Sequence, residues 1–129
     1  MDGNFGGEAY EFIYKTSVTE QDPGTGKIQL SNTYFPNADY IYMDSNSNDT
    51  VSKIIDEFME SVRLNESNTK GFVKLIDKTD EKYILYQVSK ATNNTGWWKL
   101  DITLQSQSAI LPTFDDDEQI KVNVIMNGS

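Results

Sequence analysis

Apolar and polar residues alternate with a period of two along most of this chain. In "EAYEFIYK" Tyr10, Phe12 and Tyr14 share one face; in "KIQL" Ile28 and Leu30 do so; in "ADYIYMD" Tyr40 and Tyr42 oppose Ile41 and Met43. Successive side chains of a strand point to opposite faces, so the pattern predicts three strands before residue 45. The same period returns in "FVKLI" and, beyond the turn "DKTDE", in "KYILYQVS", which together read as a hairpin. "WWKLDITLQ" sets Trp98, Leu100, Ile102 and Leu104 against Trp97, Lys99, Asp101 and Thr103. "QIKVNVIM" turns Ile120, Val122, Val124 and Met126 inward.

One segment breaks the alternation. In "NDTVSKIIDEFMESVRL" Val51, Ile54, Ile55, Phe58, Met59 and Val62 fall at offsets 0, 3, 4, 7, 8 and 11, the single apolar stripe of an amphipathic helix. The spacing predicts a helix over about 50–63, with Asp49 as its N-cap and Arg63 at the C-terminal end of its dipole. About seven short strands with one helix inserted after the third predict a mostly β protein, an antiparallel β-sandwich, with a split barrel as the alternative. The expected organisation is a Gly-rich arm over 1–7 and one domain over 8–129.

Several strands carry apolar residues on both faces. Trp97, Tyr83, Leu85, Ile13 and Ile125 all lie opposite the core-facing set of their own strands. A monomeric sandwich keeps its outer face polar, so these five are the candidate interface or glycan-contact residues. A helix of about 13 residues spans only ~20 Å and covers one patch. Self-association is therefore the expectation.

Composition narrows the chemistry. The 129 residues suit one domain, and the net charge of −9, with a single arginine, Arg63, opposes binding to nucleic acid or to an anionic membrane surface. No apolar run is long enough to cross a bilayer as a helix, and "MDGNFGGEAY" lacks the character of a signal peptide. The chain has neither Cys nor His, which removes disulfides, the usual zinc ligands and Ser-His or Cys-His catalysis.

The remaining motifs fail in detail. "QDPGTGK" ends like a phosphate-binding loop, but Gln21 stands where the first glycine belongs and Ile28 where Ser or Thr must follow the lysine; a strand, not a helix, comes next. It reads as a turn in which Pro23 fixes φ and Gly24 and Gly26 permit positive φ. "DSNSND" spaces Asp44, Asn46 and Asn48 like a calcium loop but places Asp49 at the glycine position and Ile55 at the bidentate acid position. "FDDDE", Phe114 to Glu118, reads as an exposed acidic turn, and no pair of carboxylates stands out for glycoside hydrolysis. No catalytic, cofactor-binding or metal-ligating residue is assigned.

In order and spacing the elements resemble a domain of bacteriophage virion proteins that often follows collagen-like repeats in tail fibres. The resemblance starts at the aromatic strand of Tyr10 and Phe12 and the segment "KTSVT". It continues through Asp22, Pro23, Gly24, Gly26, Leu30 and Asn32, then "DYIYMD", Gly71 with Val73 and Leu75, and Tyr86 with Val88. It closes on the strand from Gly96 to Leu104 and on Phe114, Asp117, Ile120 and Val122; Gly3, Gly6 and Gly7 resemble the end of a collagen-like tract, although the tract itself is missing. The resemblance implies a non-enzymatic structural protein of the virion, a fibre head or fibre-attached module. Its implied partners are two further copies in a homotrimer, other virion proteins and a host-surface glycan. Capsid decoration is the alternative of the same class. A carbohydrate-binding module using Trp97 and nearby tyrosines is the alternative from another class.

Overall fold

The computed structural model describes residues 7–49, 54–79 and 81–126. Seven strands form: β1 (Gly7–Lys15), β2 (Lys27–Leu30), β3 (Tyr40–Asp44), β4 (Gly71–Ile76), β5 (Tyr83–Asn93), β6 (Trp97–Gln107) and β7 (Glu118–Met126). A helix, α1 (Asp56–Leu64), lies between β3 and β4, and a 3-10 turn, Phe35–Asn37, precedes β3. The predicted arm falls on residues 1–6, outside the described residues, except for Gly7, which opens β1.

The strands close into one barrel in the order β1-β2-β3-β6-β5-β4-β7, which corrects the expected sandwich. Closure depends on β1, which pairs with β7 antiparallel over its length and with β2 in parallel over Ile13 to Lys15. Parallel pairing needs a crossover, and residues 16–26 provide it by running across the outer face. Gln29, facing outward on β2, is buried under this segment and donates to the carbonyls of Ser17 (2.9 Å) and Thr19 (3.1 Å). "QDPGTGK" makes the return: Gly24 and Gly26 take φ of +104° and +75°, and the Asp22 carboxylate accepts the Gly24 N–H. The long β5–β6 hairpin carries two register shifts, at Leu85/Tyr86 and Val88/Lys90, the kind of irregularity that bends strands around a barrel.

The predicted inward residues fill the interior. Phe12, Ile28, Leu30, Ile41, Met43, Leu75, Ile84, Tyr86, Trp98 and Leu100 are all fully buried, each contributing about 1.5–3 kcal/mol of transfer free energy. Leu104 departs from the pattern: it pairs with Tyr86 beside the first register shift and is 36% exposed. Met59 and Val62 of α1 are buried in the same core, and the Trp98 indole N–H donates to Asp56 at 2.9 Å, tethering the helix to the barrel interior. At the other end of the barrel Tyr14, Phe35 and Phe114 pack together, with Phe35 and Phe114 stacked at 5.3 Å. The Tyr86 hydroxyl donates to the Phe35 carbonyl at 2.8 Å.

The helix is shorter than predicted. Residues 50–53, including Val51 of the predicted stripe, are outside the described residues, and α1 begins at Asp56 with Ile55 as N-cap. Ile54 is 71% exposed because it is still extended, bridging to Asn46, while the Ile55 N–H bonds the Ser45 carbonyl. Asp49 is not the N-cap of α1; its carboxylate accepts the Glu11 N–H and the Ser47 hydroxyl. Asp56 and Glu57 in the first turn and Arg63 in the last do suit the dipole.

Candidate functional site

The five residues singled out from the sequence land on three parts of the barrel. Tyr83, Leu85 and Ile125 come together on the outer face of the adjacent strands β7, β4 and β5. Cross-strand register places Ile125 beside Phe72, Leu85 beside Lys74, and Tyr83 beside Ile76. The resulting surface is apolar apart from Lys74, whose ammonium lies 4.6 Å from the Tyr83 ring centroid. All six side chains remain partly exposed. Phe72 and Ile76 were not singled out, although their alternation with Val73 and Leu75 carries the same signal.

Trp97 belongs to a different surface, on the outer face of β3 and β6. Tyr40 and Tyr42 stack at 6.4 Å, and Trp97 meets Tyr42 edge-on at 6.1 Å. Lys99 sits 4.3 Å over the Tyr40 ring and pairs with Glu20 of the crossover at 3.0 Å. Tyr42 is only 3% exposed, and burial pushes its phenol pKa up. Part of the apolar outer surface is thus covered from within the chain. Ile13 stands apart from both groups, between Gln119 of β7 and Lys27 of β2, with its N–H bonded to the Gly26 carbonyl at 2.9 Å.

The acidic motifs hold backbone in place. Asp44, 4% exposed, accepts the N–H groups of Asn46 (3.0 Å) and Gly26 (3.3 Å) through one oxygen. Burial raises its pKa, and the nearby Asp22 carboxylate adds to the rise against these two hydrogen bonds. In "FDDDE" Asp116 accepts the Thr16 N–H at 2.9 Å and its hydroxyl at 3.2 Å. The Thr16 N–H, and then Lys15, hold the Asp116 carboxyl below the ordinary carboxylate range. Lys15 also reaches Asp117 at 2.8 Å, so the acidic turn pins the end of β1 to the start of β7. Among the described residues no three Asp, Glu, His or Cys side chains group as metal ligands.

Sequence reasoning missed an apolar cleft at the Phe35–Phe114 end of the barrel, lined by the end of β1 and by two loops distant in sequence. The signal for it was the pair of aromatic-proline segments "TYFPN" and "LPTF", each short and each flanked by loop residues. No family model, curated protein or solved structure matches this chain.

Proposed function

We propose that the chain is a non-enzymatic structural module of a bacteriophage virion, a fibre head or fibre-attached domain that assembles as a homotrimer. The observation that carries the assembly reading is the face of β7, β4 and β5, where Phe72, Ile76, Tyr83, Leu85 and Ile125 form one partly exposed surface. Apolar side chains clustered on adjacent strands favour burial against another protein surface, whereas scattered ones need no explanation. The viral assignment rests on the resemblance of the ordered motifs.

Leu85, on β5 beside Lys74 of that face, supplies the test. Replacing a partly exposed leucine by lysine places a charge in any interface formed there while leaving the barrel interior untouched. Sedimentation equilibrium should give a trimer mass for the parent chain and a monomer mass for Leu85→Lys. A parent chain that stays monomeric at high concentration removes the assembly reading. Immunogold labelling of intact particles tests the virion assignment, with label on fibres expected and label on the capsid shell favouring a decoration protein.

Trp97 and Tyr40, partly exposed rings on either side of the buried Tyr42, favour a second reading, a glycan-binding surface. Aromatic rings beside polar groups such as Lys99 and Glu20 suit the mixed apolar and hydroxylated faces of sugars. In that reading Trp97→Ala abolishes retention on a glycan array without changing the assembly mass.

A further inference from the structure

The cleft at the Phe35–Phe114 end of the barrel has a volume of about 340 Å³. Ligand pockets in proteins start at about 300 Å³, and a cavity of roughly 150 Å³ already admits benzene, so a single substituted ring fits here. Tyr14, Phe35, Leu111 and Phe114 contribute to its lining, while Thr33, Tyr34 and Thr113 at its rim are exposed. Tyr34 presents over half of its surface to solvent, at 56%.

One polar group in this wall has no structural employment. Tyr14 is 2% exposed, yet its hydroxyl makes no hydrogen bond among the described residues, whereas the neighbouring Tyr86 hydroxyl is given to the Phe35 carbonyl. The only fully enclosed side-chain polar atom without a partner among the described residues is Ser45 Oγ. The Tyr14 oxygen therefore keeps contact with open space, and the cleft is the open space that its ring borders. A phenol donor that borders an open cleft is satisfied by solvent, and the acceptor of an incoming ligand takes the place of that solvent.

We infer that this cleft binds a small, neutral, mostly apolar ring compound carrying one hydrogen-bond acceptor, which the Tyr14 hydroxyl donates to. Three observations set that chemistry. The walls are aromatic and aliphatic, so a polyhydroxylated ring would lose water from hydroxyls that find few partners. The Thr16 hydroxyl beside the cleft is already committed to Asp116. The acidic turn of Asp115, Asp116 and Asp117 adjoins Phe114, which disfavours an anionic acceptor and leaves a carbonyl or ether oxygen. This site is independent of the proposed assembly face, which lies on the outside of β7, β4 and β5.

Acetophenone is a suitable probe: one ring with one carbonyl. Titrated into the isotope-labelled full chain, it should shift the amide signals of Thr33, Tyr34, Phe35, Leu111, Thr113 and Phe114, with a Kd on the order of 1 mM. Tyr14→Phe, which keeps the ring and removes an oxygen with no protein partner, should weaken acetophenone about tenfold. The same variant should leave toluene, which has no acceptor, unaffected. Absence of shifts at those amides, equal acetophenone affinity in Tyr14→Phe and the parent, or methyl glucoside binding as tightly as acetophenone would each overturn the inference.

Discussion

Replacing Tyr86 by Phe removes one oxygen from the barrel interior and with it the 2.8 Å hydrogen bond to the Phe35 carbonyl. That bond ties β5 to the 3-10 turn, which otherwise has no side-chain cap. The carbonyl keeps the Ala38 N–H at 3.0 Å, so the loss is that of one neutral hydrogen bond and not of an orphaned buried group. The expected cost is about 1 kcal/mol. With a urea m-value of about 2 kcal/mol/M the unfolding midpoint falls by about 0.5 M, without a change in slope. Tyr14→Phe is the internal control. It removes the same atom from the same aromatic cluster, where Tyr14 lies 5.9 Å from Phe35 and 5.3 Å from Phe114, but that atom has no partner. Its effect should stay within about 0.5 kcal/mol. Urea unfolding followed by tryptophan fluorescence measures both variants. A Tyr14→Phe midpoint lowered as far as that of Tyr86→Phe would refute the reasoning, because loss of the phenol oxygen would then matter irrespective of its hydrogen bond.

Two further substitutions probe the barrel seam and its buried carboxyl. A Cβ on Gly71 would stand 2.4 Å from the Ile125 carbonyl oxygen across the β4–β7 pair, so Gly71→Ala must part the strands, at a cost of about 1–3 kcal/mol. A thermal melt of this variant at or above the parent temperature would show that the seam is looser than its register implies. Asp44→Asn keeps an oxygen for the Gly26 and Asn46 N–H groups while abolishing the charge. Because burial raises the folded-state pKa of Asp44, its contribution to stability is fully present below the unfolded carboxylate pKa and is lost as pH rises through the folded value. Asp44→Asn should therefore gain stability relative to the parent between pH ~4 and ~7, near the ordinary carboxylate range and above it. Urea midpoints at both pH values decide it, and a relative loss over that interval contradicts the sign. Asp44→Ala, which leaves both N–H groups without this acceptor, should cost about 1–3 kcal/mol at either pH.

The faces of the strands were legible because strand side chains must alternate. Ile41 and Met43 are buried, as are Ile84, Tyr86 and Val88, and the outward positions Tyr83, Leu85 and Ile125 do share a surface. The start of the helix was not legible, because the apolar spacing at Ile54 and Ile55 suits a helix equally well. An extended bridge between Ile54 and Asn46 claims the backbone there before α1 can begin. Asp49, a good N-cap by type, is drawn away by the Glu11 N–H on a distant strand. Trp97 failed to join the other candidate residues because β6 carries it beside β3, away from the β7-β4-β5 face.

The sequence by itself determined most of the residues that line the interior, since a period of two sorts each strand into two faces; Leu104, beside a register shift, is the exception. It equally determined where the backbone takes positive φ in "QDPGTGK", because glycines stand there. Only the tertiary structure decided that these strands close on themselves. A sandwich and a barrel demand the same alternation, and the difference lies in whether β1 finds a second partner. Here residues 16–26 return the chain alongside β1, so that Ile13 pairs with Lys27 and the last open edge disappears. The same long-range pairing brings Tyr14, Phe35 and Phe114 around one cleft, a convergence that no local periodicity encodes.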